Sequence, residues 1–309
     1  MPTPLEQLLD DLKRYETLTA HERAQCRKRA EHLRFASPDE LDRAFDALLA
    51  LAEPEADEAK LAQTDRLLAA LCRQLGRGRR GTEAAAGALL TPETIERITR
   101  LYRQLGPSSE SRFELLAVLA YDRGPVALAS LAGLVANDPP ATARQIDVVL
   151  APLMQSKEYD AQALFPRLLD GLSHREAAAA ILDVANFATR EGLVTPHPAN
   201  ERIDQLGDLL TALVSELEQL EEQPTARAAS PQELSEKIAA GSELVVATCD
   251  AIGLCGDKNQ APKLYQVLRL NHRRLRAEAG AALARLDEAK GIEVLREAAA
   301  DPASRLRAL

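Results

Sequence analysis

Four cysteines and five histidines are the residues of this chain best suited to nucleophilic or metal chemistry, and their spacing argues against most of it. Cys249 and Cys255 stand six apart, on different sides of a helix, and supply no Cys-x-x-Cys pair for zinc or thiol–disulfide work. Cys26 and Cys72 lie far from both, and four cysteines in 309 residues do not make a disulfide framework. His21 and His32 share a helical face, but eleven residues separate them by about 16 Å, too far for one metal to bridge. His174, His197 and His272 fall at predicted helix boundaries, where an exposed polar side chain is expected. The sequence therefore assigns no catalytic residue, no cofactor and no metal ligand.

Arginines carry the remaining candidate chemistry. The run Gly76 to Gly81 has the glycine spacing of a dinucleotide loop, but a predicted helix precedes it where that loop needs a strand. Read for its arginines instead, the region gathers Arg73, Arg77, Arg79 and Arg80 beside Arg97, Arg100 and Arg103 on the following helix, a candidate anion or partner patch. A second basic cluster holds Arg269, Arg273 and Arg274, with His272 among them. The acidic runs Glu53 to Glu58 and Glu216 to Gln223 read as solvated faces.

These residues are positioned by helices. Leu and Ala dominate a sequence that is 46% hydrophobic and 3% aromatic, with no Trp, and no stretch alternates as a strand would. Helix starts are legible where Ser or Thr precedes Glu by three residues: Thr19 with Glu22, Ser37 with Glu40, and Ser230 with Glu233. Thr91-Pro92 is a simpler start, since Pro suits the first helical position. The pattern predicts about 15 to 17 helices, among them 161–171, 199–221, and a pair at 231–240 and 243–255. Short breaks between them imply antiparallel neighbours. Asp138-Pro139 and Asp301-Pro302 each end one helix and begin another.

The last stretch, 242–309, repeats itself. Leu244, Leu275 and Leu306 stand 31 residues apart, and under that offset Ala251 to Asp257 lies over Ala282 to Glu288. Leu244, Thr248, Ala251, Ile252 and Cys255 occupy one helical face, and Leu275, Ala279, Ala282, Leu283 and Leu286 match them. Cys255 takes the place of Leu286, which assigns it as a small apolar core residue. Arg276 recurs as Arg307 and reads as part of the stacking pattern. A period of this size marks a stacked repeat.

The residues Leu275-Arg276, Leu306-Arg307, Cys255-Gly256-Asp257 and Asp301-Pro302 resemble HEAT-like repeats of the short kind named after phycobilisome lyases. The resemblance covers about residues 242–309, and Val245 departs from its pattern, where the other copies have Arg. It implies an all-α, right-handed solenoid of stacked antiparallel helix pairs. The chain then reads as one continuous array over 1–309, subdivided into 1–106, 107–222 and 230–309. The expected role is a noncatalytic interaction scaffold whose groove receives a protein partner. Two alternatives stay open: a bilin lyase or isomerase, and a nucleic-acid binder using the region from Arg73 to Arg103.

A net charge of −9 weighs against nucleic acid as the partner. The acidic N-terminus lacks the basic start of a signal peptide, and no apolar stretch approaches the roughly 20 residues of a membrane span. The expected location is the cytoplasm, without membrane contact. The third repeat stops at Leu309 without a polar cap, which points to a longer chain or to end-to-end self-association.

Overall fold

Helix starts form where the side chains dictate. The Thr19 hydroxyl accepts the Glu22 N–H at 3.3 Å while the Glu22 carboxylate accepts the Thr19 N–H at 2.7 Å. Ser37 accepts from the Glu40 amide and Ser230 from the Glu233 amide, at 3.4 and 3.1 Å. At Ser230 the reciprocal bond moves back one residue, with the Ala229 N–H donating to Glu233. Thr3 and Glu6 form a further capping box that the sequence reading missed.

The computed structural model describes residues 3–33, 37–51, 62, 65–73, 90–106, 109–223 and 227–300. Among these residues the protein is all-α, with no strand. Its contacts gather into two units, Met1–Ala177 and Ala178–Leu309.

The first unit contains α1 (Pro4–Lys13), α2 (Ala20–His32), α3 (Pro38–Leu51), a helical stretch over 65–73, α4 (Pro92–Gln104), α5 (Glu110–Asp122), α6 (Pro125–Asn137) and α7 (Ala143–Met154). The region 161–171, predicted as one helix, is instead two short 3-10 turns, Ala161–Ala163 and Arg167–Ser173. Pro166 between them has no amide hydrogen to continue an α-helical ladder. Aspartates of one helix serve the start of another throughout this unit. Asp42 accepts from Thr94 at the start of α4, Asp65 accepts the Ser111 N–H at 2.9 Å, and Asp122 accepts the Leu90 and Gly124 amides at 3.1 and 3.3 Å. Asp65 thereby satisfies a donor in the first turn of α5, and all three carboxylates place negative charge at a helix's positive end.

The second unit holds most of α8 (Arg175–Arg190), then α9 (Ile203–Glu222), α10 (Pro231–Cys255), α11 (Ala261–Val267), α12 (Arg273–Arg285) and α13 (Ala289–Ala300). The predicted break at 241–242 does not occur, and α10 runs unbroken for 25 residues. Gly241 is there for packing, because a methyl group at its Cα would meet the Leu217 side chain of α9 at 3.1 Å. Unbroken, α10 is long and apolar enough to cross a membrane by length and composition, so the expectation that no stretch approaches that length fails. Its C-terminal half is buried within the unit.

Residues related by the 31-residue offset are buried alike in two helices. Leu244, Thr248, Ala251 and Ile252, and their counterparts Leu275, Ala279, Ala282 and Leu283, are all at most 2% exposed. The two helices also end alike: Gly256 and Asp287, again 31 apart, both adopt the left-handed conformation, with φ of 76° and 61°. Gly256 takes it without steric cost, whereas Asp287 carries a Cβ there and pairs with Lys258 at 2.9 Å. The crossing of α12 and α13 depends on Gly291, whose added Cβ would lie 2.4 Å from the Ala284 nitrogen and 2.6 Å from the Gly280 carbonyl oxygen.

Urea unfolding followed by helical circular dichroism tests this register. Gly256→Ala should cost about 1 kcal/mol and Asp287→Gly should be neutral or stabilising, because only the former adds a Cβ at a left-handed residue. Gly291→Ala should cost about 1–3 kcal/mol through overpacking. Destabilisation by Asp287→Gly as large as that by Gly256→Ala would contradict the assignment.

Candidate functional site

Helix α8 ends at Arg190, and the chain turns back through 191–199 with the Leu193 N–H donating to the Ala188 carbonyl at 2.8 Å. Pro196 and Pro198 flank His197, and neither can donate to a helical ladder, so this segment runs through bends and turns rather than continuing a helix. His197 is buried there to 2% exposure, contrary to the expectation of a solvated boundary residue.

The ring's hydrogen bonds fix its tautomer. The Ala199 backbone N–H lies 3.1 Å from Nδ1 and can only donate, so Nδ1 is an acceptor and the proton sits on Nε2. Nε2–H then donates to Asn186 Oδ1 at 3.0 Å, and Asn186 Nδ2 donates to the Ala247 carbonyl of α10 at 3.0 Å. Cys255 Sγ lies 3.4 Å from the same Nδ1. A cysteine, a histidine and an asparagine thus stand in line, joining α8, the returning loop and the end of α10.

That order of groups suits thiol catalysis, in which an imidazole takes the thiol proton and an amide holds the ring. The electrostatics oppose it. Burial, and secondarily the Arg190 charge, lowers the His197 pKa from 6.5 to about 4. Burial, and secondarily Asp257, pushes the Cys255 thiol up to about 12. The neutral imidazole and the neutral thiol are the favoured forms at pH 7, whereas the nucleophile would have to be a thiolate. The group works as a staple between three segments. Cys255 is correspondingly half-buried and hydrogen-bonded rather than the apolar core residue its register assigned.

Alongside runs a charged network. Asp250 of α10, only 8% exposed, accepts from Arg190 of α8 and, at 3.0 Å, from Arg285 of α12. The other described thiols are deep in apolar packing, which pushes Cys26 up to about 11 and raises Cys72 and Cys249 further. Among the described residues no group of three or more His, Cys, Asp or Glu could hold a metal ion.

Of the arginine patch read from the sequence, Arg77, Arg79 and Arg80, with the whole run Gly76 to Gly81, lie outside the described residues. Arg73 pairs with Glu114 at 3.7 Å, and Arg97 donates to Asp46 at 2.5 and 3.0 Å. Arg100 and Arg103 are exposed. In the second cluster Arg269 and Arg273 are exposed and Arg274 is half-buried. Arg276 pairs with Glu297 at 3.7 Å, while its counterpart Arg307 is outside the described residues.

Fold and site together define an all-α protein in which buried polar side chains such as Asn186 and Asp250 hold helices to one another. No family model matches the chain, and no curated protein matches it.

The histidine staple gives stability a pH dependence. Because folding favours the neutral ring, the unfolded chain takes up that proton first as pH falls. The His197 contribution is complete above about pH 6.5 and declines towards pH 4, by about 3 kcal/mol in all. The difference in unfolding free energy between wild type and His197→Gln should therefore shrink on acidification across that window. A difference independent of pH would contradict the buried neutral ring. Cys255 should react with iodoacetamide at pH 7 much more slowly than a free thiol, and equal rates would contradict the raised thiol pKa.

Proposed function

We propose that this protein is a noncatalytic binding scaffold, a right-handed α-solenoid of HEAT-like helix pairs that offers a surface to a protein partner. The observation carrying this reading is the 31-residue register, in which equivalent positions of α10 and α12 are buried alike and end in the same left-handed turn at Gly256 and Asp287. A unit of this kind buries its apolar stripe only against the next unit, and stacking leaves long solvent-facing surfaces as the natural place for recognition. The neutral state of His197 and Cys255 supports a binding role over a covalent one.

A protein partner is favoured over nucleic acid. Two arginines of the basic region, Arg73 and Arg97, already carry acidic neighbours, and the chain as a whole is strongly acidic. The proposed setting is the cytoplasm.

The test is recovery of partners with the full chain, followed by reconstitution from purified components. A saturable complex of fixed stoichiometry, unaffected by Cys255→Ala, is the expected result. Reproducible turnover of a substrate that Cys255→Ala or His197→Ala abolishes would overturn the reading.

A further inference from the structure

Helix α2 runs against the charge of the chain. In a protein of net charge −9 it holds Arg23, Arg27, Lys28 and Arg29 against Glu22 and Glu31. Cys26 and Ala30 are buried, so their stripe faces the unit, and Arg23 and Arg27, one turn apart, lie half-buried at its edge. Beneath them is Tyr15, 3% exposed, with its ring centre 5.6 Å from the Arg23 guanidinium carbon. Burial, and secondarily Cys26, raises the Tyr15 pKa, while Arg27, Arg23 and Arg66 oppose the rise. Three guanidinium charges therefore act on one phenol, the third from Arg66, which is exposed on the helical stretch over 65–73.

The acids nearest in sequence are engaged elsewhere. Asp11 pairs with Arg14 at 3.2 Å and Arg29 at 2.7 Å, Glu22 closes the capping box with Thr19, and Asp65 serves the start of α5 through the Ser111 N–H. Glu31, the remaining acid of α2, is exposed. Among the described residues neither Arg27 nor Arg66 takes part in an ion pair. Like charges held this close repel one another, and an anion laid across them relieves the repulsion.

Residues four apart on a helix stand about 6 Å from each other along its axis, close to the roughly 6.8 Å between alternate residues of an extended chain, whose side chains share one side. Carboxylates at alternate positions therefore match guanidinium groups one turn apart, and each can accept a forked pair of N–H bonds. A nucleic acid fits less well. Beyond the patch it would meet the repulsion of an acidic chain, and Tyr15 is buried and offers no face on which a base could stack.

We propose that the edge of α2 carrying Arg23 and Arg27, together with Arg66, docks an extended acidic segment of a protein partner. This rests on the scaffold reading and deepens it, naming the surface and the chemistry of the partner. The segment carries carboxylates at alternate positions, and its hold is electrostatic, so it weakens with salt.

Ligand-detected NMR on the full chain would use the capped peptide Glu-Ser-Glu-Ser-Glu, its counterpart with Gln for Glu, and a hexathymidylate. The Glu peptide should bind at least about tenfold tighter than the Gln peptide and tighter than the hexathymidylate, and should lose about fivefold in affinity between about 50 and 300 mM salt. Arg27→Gln and Arg66→Gln should each weaken it about two- to fivefold, and together about tenfold, with unchanged circular dichroism. Arg103→Gln, which removes the same charge from α4, should leave the affinity unchanged. Equal binding of the Glu and Gln peptides, tighter binding of the hexathymidylate, or equal loss in Arg27→Gln and Arg103→Gln would overturn the proposal. Peptide binding that emerges only after Glu53, Glu55, Asp57 and Glu58 are neutralised to Gln and Asn would assign the patch to the chain's own acidic run, and overturn it too. A reconstituted partner complex insensitive to the double change at Arg27 and Arg66 would remove this surface and leave the scaffold reading standing; failure of that reading shows separately, as turnover lost in Cys255→Ala.

Discussion

A carboxylate buried in an apolar helix must be neutralised or expelled, and in the second unit Asp250 is that carboxylate. Left alone it would cost several kcal/mol to keep charged. Arg190 at the end of α8 and Arg285 at the end of α12 both reach it, so the helices on either side of α10 can settle in few other positions. One turn earlier on α10 the Ala247 carbonyl takes the Asn186 amide, and one turn later Cys255 reaches His197. Over little more than two turns, α10 therefore offers its neighbours a backbone oxygen, a carboxylate and a thiol in sequence. Removing one partner of such a set is expensive because the others remain buried, which gives the contact its power to select one packing.

The first unit uses the same device with different groups. Asp42, Asp65 and Asp122 each reach a helix start that is distant in sequence, and Arg112 lies over the Tyr102 ring at 4.2 Å while pairing with Asp138. The Tyr102 hydroxyl donates to the Asp138 carbonyl at 2.5 Å, so the Asp138-Pro139 corner between α6 and α7 is gripped from two sides. Leucine and alanine supply non-directional burial in both units, and these polar contacts supply the direction that a core of nearly uniform side chains lacks. That division also explains why polar residues with catalytic potential can be structural. His197 is buried with one donor, one acceptor and no charge, which suits a bracket better than a proton shuttle.

Much of the fold was legible because its signals are local. Capping at Thr19, Ser37, Thr91 and Ser230 reads from residues within one turn. Gly241-Ser242 misled, since small residues mark a break in a sequence but also mark a place where another helix comes close. The candidate site was hidden for the opposite reason. His197 is 11 residues from Asn186 and 58 from Cys255, and no spacing rule links them; the two prolines around His197 were the one local hint that it sits on a returning segment rather than at a helix end.

The polar centre around His197 joins α8, the returning loop and α10 through uncharged groups. Its most direct measurement is nitrogen NMR of the His197 ring in the folded protein between pH 5 and pH 8. A neutral ring protonated at Nε2 throughout, with Cys255 as the thiol, is the expected result. An imidazolium at neutral pH, paired with a Cys255 thiolate, would contradict it.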